Sequence, residues 1–383
     1  MNILIEGWRG INHSFSLVNQ WQTLELSKLS KVFLKDVEFP TIWNFQKNSS
    51  GINYDTRKLI EDLENPLEKQ KFDITYRISF PFNFDKNFDS KKLFVFGTTE
   101  YKYLKETHYK NGKVEEINEN EKIIIHTPSN WSKKGFLNSG FHEEKIIVVP
   151  HGIDPNTFDI VSEEEKKSFK KKLNLNNEDF IISNIGSMTK NKGIEVLITA
   201  YGILKKRFKN LKLILKDQSN LYGIKPNLIL SKLNNSELNK KYKIIYEKII
   251  KDIIIISKNL NLDDLKKIYA ISNCYISPYL AEGFNLTPLE AAACGTEIIV
   301  TKGGSTDDYF NKCMGEQIES DEKKIKNYFQ LNPSLDSLIA ILEKKIITQD
   351  KSANIRRDYI HKNFSWEIIA KKLKHEFKIK IEN

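Results

Sequence analysis

Residues 274–301 constrain the fold more than any other stretch of this chain. A short apolar run from Cys274 to Pro278 leads into a glycine-containing loop. An alanine-rich segment and a second apolar run, Glu297 to Thr301, follow. This reads as strand, loop, helix, strand, the repeating unit of a parallel sheet. Pro278 ends the first strand because it has no N–H to give the ladder. Thr287 and Pro288 suit the N-cap and first position of a helix, and Gly295 suits its C-terminal stop. The loop of Gly283, Phe284, Asn285 and Leu286 then precedes a helix N-terminus, where N–H groups and the dipole favour an anion such as phosphate. Glu282 comes just before that loop and Glu290 falls in the first helical turn. Taken alone, the two carboxylates are equally well read as a solvated loop charge and a first-turn residue stabilising its own helix.

The same alternation runs through the rest of the chain. Asn2–Glu6 reads as a buried strand, residues 7–10 as a glycine turn, and Asn12 to Leu26 as a helix. These glycines do not fit G-x-G-x-x-G, so a nicotinamide-dinucleotide fold is not indicated. Further strands are expected at Val32–Leu34, Asp73–Ser79, Lys92–Gly97, Lys122–His126 and Lys145–Val149, with a helix opening after Thr127. A second series begins with the strand Phe180–Gly186. Its helix has apolar residues at 194, 197, 198, 201 and 204, a helical spacing. Strands at Asn210–Leu215 and Ile253–Ile256 and a helix at Leu262–Ala270 come next. Residues 219–251 read as one or two exposed helices. Leu335–Lys345 and a segment from Phe364, with Ser365 as cap, read as helices, and the charged residues 155–178 as a connection between two α/β domains, with the charge run at 163–167 as a short solvated helix.

At 383 residues the chain is long enough for two full cores. Its 60 Lys and Arg against 50 Asp and Glu leave a formal charge of +10, which suits an anionic partner. The charges are dispersed, and neither a zinc-finger spacing nor an RNA-binding aromatic motif accompanies them, so no nucleic-acid partner is expected. None of the three cysteines, Cys274, Cys294 and Cys313, forms a C-x-x-C pair, which reads as reduced, intracellular thiols. No apolar run reaches the ~18 residues of a membrane span.

The run from Glu282 to Thr296 resembles, almost residue for residue, the donor-site motif of GT-B glycosyltransferases of family 4. Thr127–Lys133 together with Ile146–Asp154 resembles the end of that family's first domain. The resemblance implies two Rossmann-like domains facing a cleft. Residues 1–155 would form the acceptor-side domain and 156–363 the donor-binding domain, with a final helix, 364–383, crossing back to the first. It also implies a retaining transfer from a nucleotide-diphosphate sugar to a glycan or lipid-linked acceptor, in surface-polysaccharide assembly. Glu290 would hold the ribose hydroxyls. Gly283, Phe284, Asn285 and Leu286 would contact sugar and phosphates, and Glu282 the sugar. Lys192, just before a helix start, would neutralise the leaving diphosphate, beside Gly186 and Ser187. Ser187 stands where the family usually has arginine, so Lys190 becomes a candidate for compensation.

Gly10, in the first turn, is expected near the donor, and His126, at a strand end, near a sugar hydroxyl. Each also has a bland reading, as a turn glycine and a structural histidine. His151 reads as a hinge residue, and His13 ranks below His126. With no D-x-D pair, neither metal nor other cofactor is expected. Localisation is expected in the cytoplasm, with the inner membrane face as an alternative and peripheral membrane contact allowed by the basic first domain. Two other readings remain: a nucleotide-sugar-binding protein without transfer, and an epimerase or phosphorylase on the same scaffold.

Overall fold

The computed structural model describes every residue except 42, 44–49, 86–88, 224–232, 234–236, 243–245, 349–351 and 383. The chain divides into two compact units. One is Met1–Gly152 with Phe364–Asn383, the other Ile153–Asn363. The first division falls at 152/153, where the sequence suggested 155/156, and the second at 363/364.

The first unit is built on a parallel sheet of β1 (Asn2–Gly7), β2 (Lys31–Asp36), β3 (Lys71–Ile78), β5 (Asp89–Phe96), β7 (Ile123–Thr127) and β8 (Ile146–Val148). Their order is β2-β1-β3-β5-β7-β8, with every neighbour parallel. The two-residue strands β4 (Phe82–Asn83) and β6 (Tyr109–Lys110) pair separately. Burial on both faces explains why the strands read as continuous apolar runs and do not alternate. Helix α1 (Ser14–Ser27) starts where the His13 ring accepts a hydrogen bond from the Phe15 amide at 3.1 Å. Helix α2 (Tyr54–Glu61) is capped by Asn53. At the strand ends Arg77 and Glu6, both fully buried, form a fork with contacts of 2.6 and 2.8 Å. The last helix, Trp366–Glu382, buries Phe377 against Phe94 and Tyr76, with ring centroids 4.5 and 5.4 Å apart.

The second unit has its own six-stranded parallel sheet, β9 (Phe180–Ile185), β10 (Leu211–Lys216), β11 (Ile253–Ile256), β12 (Cys274–Ser277), β13 (Glu297–Thr301) and β14 (Gly315–Ile318). The order is β11-β10-β9-β12-β13-β14. Chain direction across the sheet reverses between β9 and β12. At such a switch point the loops leaving the strand ends diverge and open a crevice for a ligand. Those loops are residues 186–193 and 278–285. The apolar stripe anticipated at 194, 197, 198, 201 and 204 is buried in the core. The charge run at 163–167, expected as a short solvated helix within the connection, lies in a capped helix, Glu163–Lys172. Between 219 and 251 the segments Ser219–Tyr222, Glu237–Tyr242 and Tyr246–Ile250 are helical, and residues 224–232, 234–236 and 243–245 lie outside the described residues.

Features not anticipated include α2, the helices Val114–Glu119 and Ala353–Phe364, the edge strand β14, the two-residue strands β4 and β6, and an antiparallel hairpin, β15 (Ser320–Ile325) with β16 (Tyr328–Pro333). β15 is exposed and β16 largely half-buried, with Leu331 buried and its amide donating to the Leu280 carbonyl at 2.7 Å. Among the described residues no helix is long and apolar enough to cross a membrane.

Candidate active site

At the switch point Asn191 hydrogen-bonds the loop after β9 to the loop after β12. The backbone carbonyl of Asn191 accepts from the Leu280 amide at 2.7 Å, and its side chain donates to the Ala281 carbonyl at 3.1 Å. Gly193 follows with φ +66, a conformation that favours glycine. A Cβ there would lie 1.8 Å from the Pro278 carbonyl oxygen, so only hydrogen lets the two loops touch. This closeness brings Lys192 and Glu282 together as an ion pair. The Glu282 side chain is 8% exposed and that of Lys192 22%. The solvated-charge reading of Glu282 is therefore wrong. A Cβ on Gly186 would meet the Lys192 chain at 3.6 Å, so the ammonium stem packs over Gly186. Ser187, half-buried beside it, pairs its hydroxyl with that of Thr189 at 3.0 Å. Lys190 is exposed.

The helix after β12 runs Leu286–Ala293, with Asn285 as N-cap in the left-handed region at φ +67. It thus begins before the Thr287-Pro288 start expected from sequence. Thr287 does not cap because its hydroxyl accepts from Tyr275 at 2.7 Å. Pro288 occupies the third helical position, where an N–H has no intrahelical acceptor and its loss costs little. Asn285 is fixed from two sides: its amide donates to Ser277 at 2.8 Å, and its carbonyl accepts from the Tyr309 hydroxyl at 2.7 Å. Phe284 packs on Tyr309, centroids 5.1 Å apart. Gly283 and Phe284 are buried and Leu286 half-buried. Gly295 stops the helix as expected, with φ +79.

Glu290 lies beyond the first turn, which carries no acid. It is buried, and Tyr269 donates to its carboxylate at 2.7 Å. Burial raises its pKa from 4.5 to about 7, against the opposing Tyr269 hydrogen bond. A carboxyl so placed changes charge near neutrality and, when ionised, accepts hydroxyl protons strongly.

Two expected residues lie in the first unit. His126 is fully buried, with Nδ1 2.7 Å from the Tyr76 hydroxyl and Nε2 2.9 Å from the Val149 carbonyl. Burial lowers its pKa to about 4, so the ring is neutral. Nε2 faces the carbonyl, and Nδ1 faces the Tyr76 hydroxyl, which also lies 2.6 Å from Gln22 Oε1. No ring nitrogen is left for a sugar hydroxyl, and the structural reading replaces the catalytic one. His151 is likewise buried, packing on Phe96 and Trp366. Gly10 turns at φ +81 and its amide donates to Gln20 at 3.2 Å.

Sequence reasoning missed Asn191, Tyr269 and Tyr309. It also missed Lys216, a buried lysine ending β10 whose carbonyl accepts from the Gly186 amide at 3.0 Å. Burial lowers its pKa, and its ammonium donates to the Asp217 carbonyl.

Residues 165–322 match the family model for glycosyl transferases group 1. An uncharacterised glycosyltransferase of Methanocaldococcus jannaschii is 25% identical over 244 residues, 63% of this chain. That alignment spans only 55% of the archaeal protein. The lipopolysaccharide 1,2-N-acetylglucosaminetransferase of Salmonella typhimurium is 22% identical, covering 70% of this chain and 69% of that protein. A glycosyltransferase from Rickettsia africae aligns over 100% of this chain and 99% of its own, with TM-score 0.68 and 16% identity. Anabaena HepE, solved with UDP and glucose, aligns over 99% of this chain and 100% of its own, with TM-score 0.67 and 14% identity. The fold is that of the GT-B glycosyltransferases.

Proposed function

We propose that this GT-B protein, with its glycosyl transferases group 1 region at 165–322, moves a sugar from a nucleotide-diphosphate sugar to a glycan or glycolipid acceptor. We further propose retention of anomeric configuration and a place in cell-surface polysaccharide assembly. The observation that carries this reading is the Lys192–Glu282 ion pair over Gly186, at the switch point and before the helix Leu286–Ala293.

Each group has a task. The Lys192 ammonium meets the departing diphosphate, with the helix N-terminus adding its positive end. Stabilising that leaving group is the principal electrostatic demand, because C–O cleavage builds negative charge there. Glu282, held by Lys192, accepts from sugar hydroxyls and faces the positive charge that develops at the anomeric carbon. Glu290 takes the ribose hydroxyls. The anomeric C–O bond to the diphosphate breaks and a bond to the acceptor oxygen forms. The acceptor's hydroxyl proton passes to the released diphosphate. No metal is assigned a part, and none of these steps forms a covalent enzyme adduct.

The test is a thermal-shift screen of the whole chain against UDP, GDP, ADP and their sugars, with and without EDTA. One nucleotide series should stabilise the protein by about 3 kcal/mol at a hundredfold excess over Kd, unaltered by EDTA. Lys192→Met should reduce that shift sharply. No shift with any nucleotide would refute the donor assignment. Ser187, which brings no charge where a cation is usual, favours a second reading: donor binding without transfer. Nucleotide binding with no turnover toward any acceptor would select it.

A further inference from the structure

Lys216 ends β10 and is 4% exposed, a cation almost wholly out of water. Among the described residues its ammonium forms no ion pair. Its hydrogen bond goes to the backbone carbonyl of the next residue, Asp217. An ammonium carries three protons, so two are left without an acceptor. The adjacent carboxylate is engaged elsewhere. Asp217, 1% exposed, accepts from the Ser219 amide at 2.6 Å with one oxygen and from the Ser257 hydroxyl with the other. A buried charge that touches no opposite charge is costly, and an anion brought by a ligand would relieve it.

Position decides which anion. The Lys216 carbonyl accepts from the Gly186 amide at 3.0 Å, so this lysine lies one strand away from the glycine over which Lys192 packs. Strand alternation fixes the face it points to. Leu211, Leu213 and Leu215 turn into the core with Leu197 and Tyr201, which sends Lys216 to the opposite side. That side is also the one Tyr275 occupies, because Ile214 is in register with Ser183 and Ser183 with Tyr275. Tyr275 in turn donates to Thr287, in the first turn of the helix Leu286–Ala293. Lys216 and the positive end of that helix therefore share one side of the switch point. Lys192 is already engaged by Glu282, which competes with any phosphate it receives. The Lys216 ammonium touches no carboxylate and has no such competitor.

We propose that Lys216 is a phosphate-binding residue of the donor site, a second cation that meets the diphosphate from the strand ends while Lys192 meets it from the loop. The identity of the ligand rests on the nucleotide-sugar reading above, whereas the need of Lys216 for an anion does not. A nucleoside diphosphate and free pyrophosphate offer this lysine the same oxygens. Its ammonium has been stripped of water on folding, so that cost is not repeated when the phosphate arrives.

The test is calorimetry of the full chain and of its Lys216→Met variant. The probes are uridine, guanosine and adenosine, their mono- and diphosphates, and inorganic pyrophosphate. Methionine keeps most of the stem and removes the charge. The diphosphate of the preferred base should bind the variant roughly tenfold more weakly or worse, with the affinity of its nucleoside unchanged. Scanning fluorimetry without ligand should find the variant at least as stable as wild type, since it no longer buries an unpaired charge. Four results would overturn the proposal: wild-type diphosphate affinity in the variant, an equal loss for nucleoside and diphosphate, an unliganded variant less stable than wild type, or no binding of pyrophosphate or any diphosphate by wild type. A diphosphate held equally by both proteins would sink the lysine and spare the donor site. Pyrophosphate held through Lys216 with no nucleotide bound would keep the lysine as a phosphate ligand and sink the donor reading.

Discussion

Replacing Glu290 by glutamine should stabilise the protein, and by an amount that depends on pH. Glutamine keeps the size of the side chain and an oxygen for the Tyr269 hydroxyl, but removes the charge. Burial lifts the Glu290 pKa from 4.5 to about 7. A raised pKa means that folding favours the protonated form. The stability this provides is fully present below the unfolded pKa and is lost as pH rises through about 7. At ~1.4 kcal/mol per pH unit the full loss is about 3 kcal/mol. Glu290→Gln does not suffer it. The variant should match wild type near pH 4.5 and exceed it at pH 8.5, by roughly 5–10 °C in the Tm of the donor-side transition. Scanning fluorimetry of both proteins at half-unit steps gives the curve, and the difference between them cancels the other titrating groups. A Tm difference constant from pH 4.5 to 8.5 would refute the reasoning, because it would mean that Glu290 does not titrate between folded and unfolded states.

The same carboxyl makes donor binding pH-dependent. Hydroxyl donors prefer the ionised form, so the affinity of wild type for its nucleotide sugar should tighten about tenfold from pH 6 to 8. Glu290→Gln should be flat by calorimetry, and a flat wild-type profile contradicts the ribose assignment. Gly193→Ala forces a Cβ into the Pro278 carbonyl at positive φ, which should cost about 2–4 kcal/mol in a denaturant titration. An unchanged midpoint would mean that the loops part freely. His126→Ala leaves a cavity and strips Tyr76 and Val149 of a partner, a loss of about 2–4 kcal/mol. Transfer by the folded fraction should stay within twofold of wild type, and a hundredfold fall would restore His126 to catalysis.

Local chemistry made the donor segment legible. Pro278, Gly295 and the apolar runs beside them mark a strand, a stop and a second strand by backbone constraints that act within a few residues. The environment of the carboxylates was not legible, because it comes from afar. Tyr269 reaches Glu290 from the preceding helix, and Asn191 locks Ala281 from another strand's loop. Sequence spacing carries no trace of either contact. Thr287 looked like a cap because its residue type permits one, but Tyr275 takes its hydroxyl. The β15–β16 hairpin lacked the usual signal because β15 is exposed and charged, with Lys326 at positive φ in the turn. His126 shows the limit of reading function from a strand end: its partners, Tyr76 and Val149, arrive from two neighbouring segments.

The hairpin bears on how the site is completed in time. The Tyr279–Glu282 loop is braced by the Leu331 amide, which belongs to β16. The family-matched segment ends at 322, inside β15. A chain halted there during synthesis would already hold Gly186, Lys192, Glu282 and Glu290, yet its glutamate loop would lack the strand behind it. Emergence of these residues from the ribosome and completion of the loop packing around them are therefore separate events, and the second waits for the hairpin to fold back.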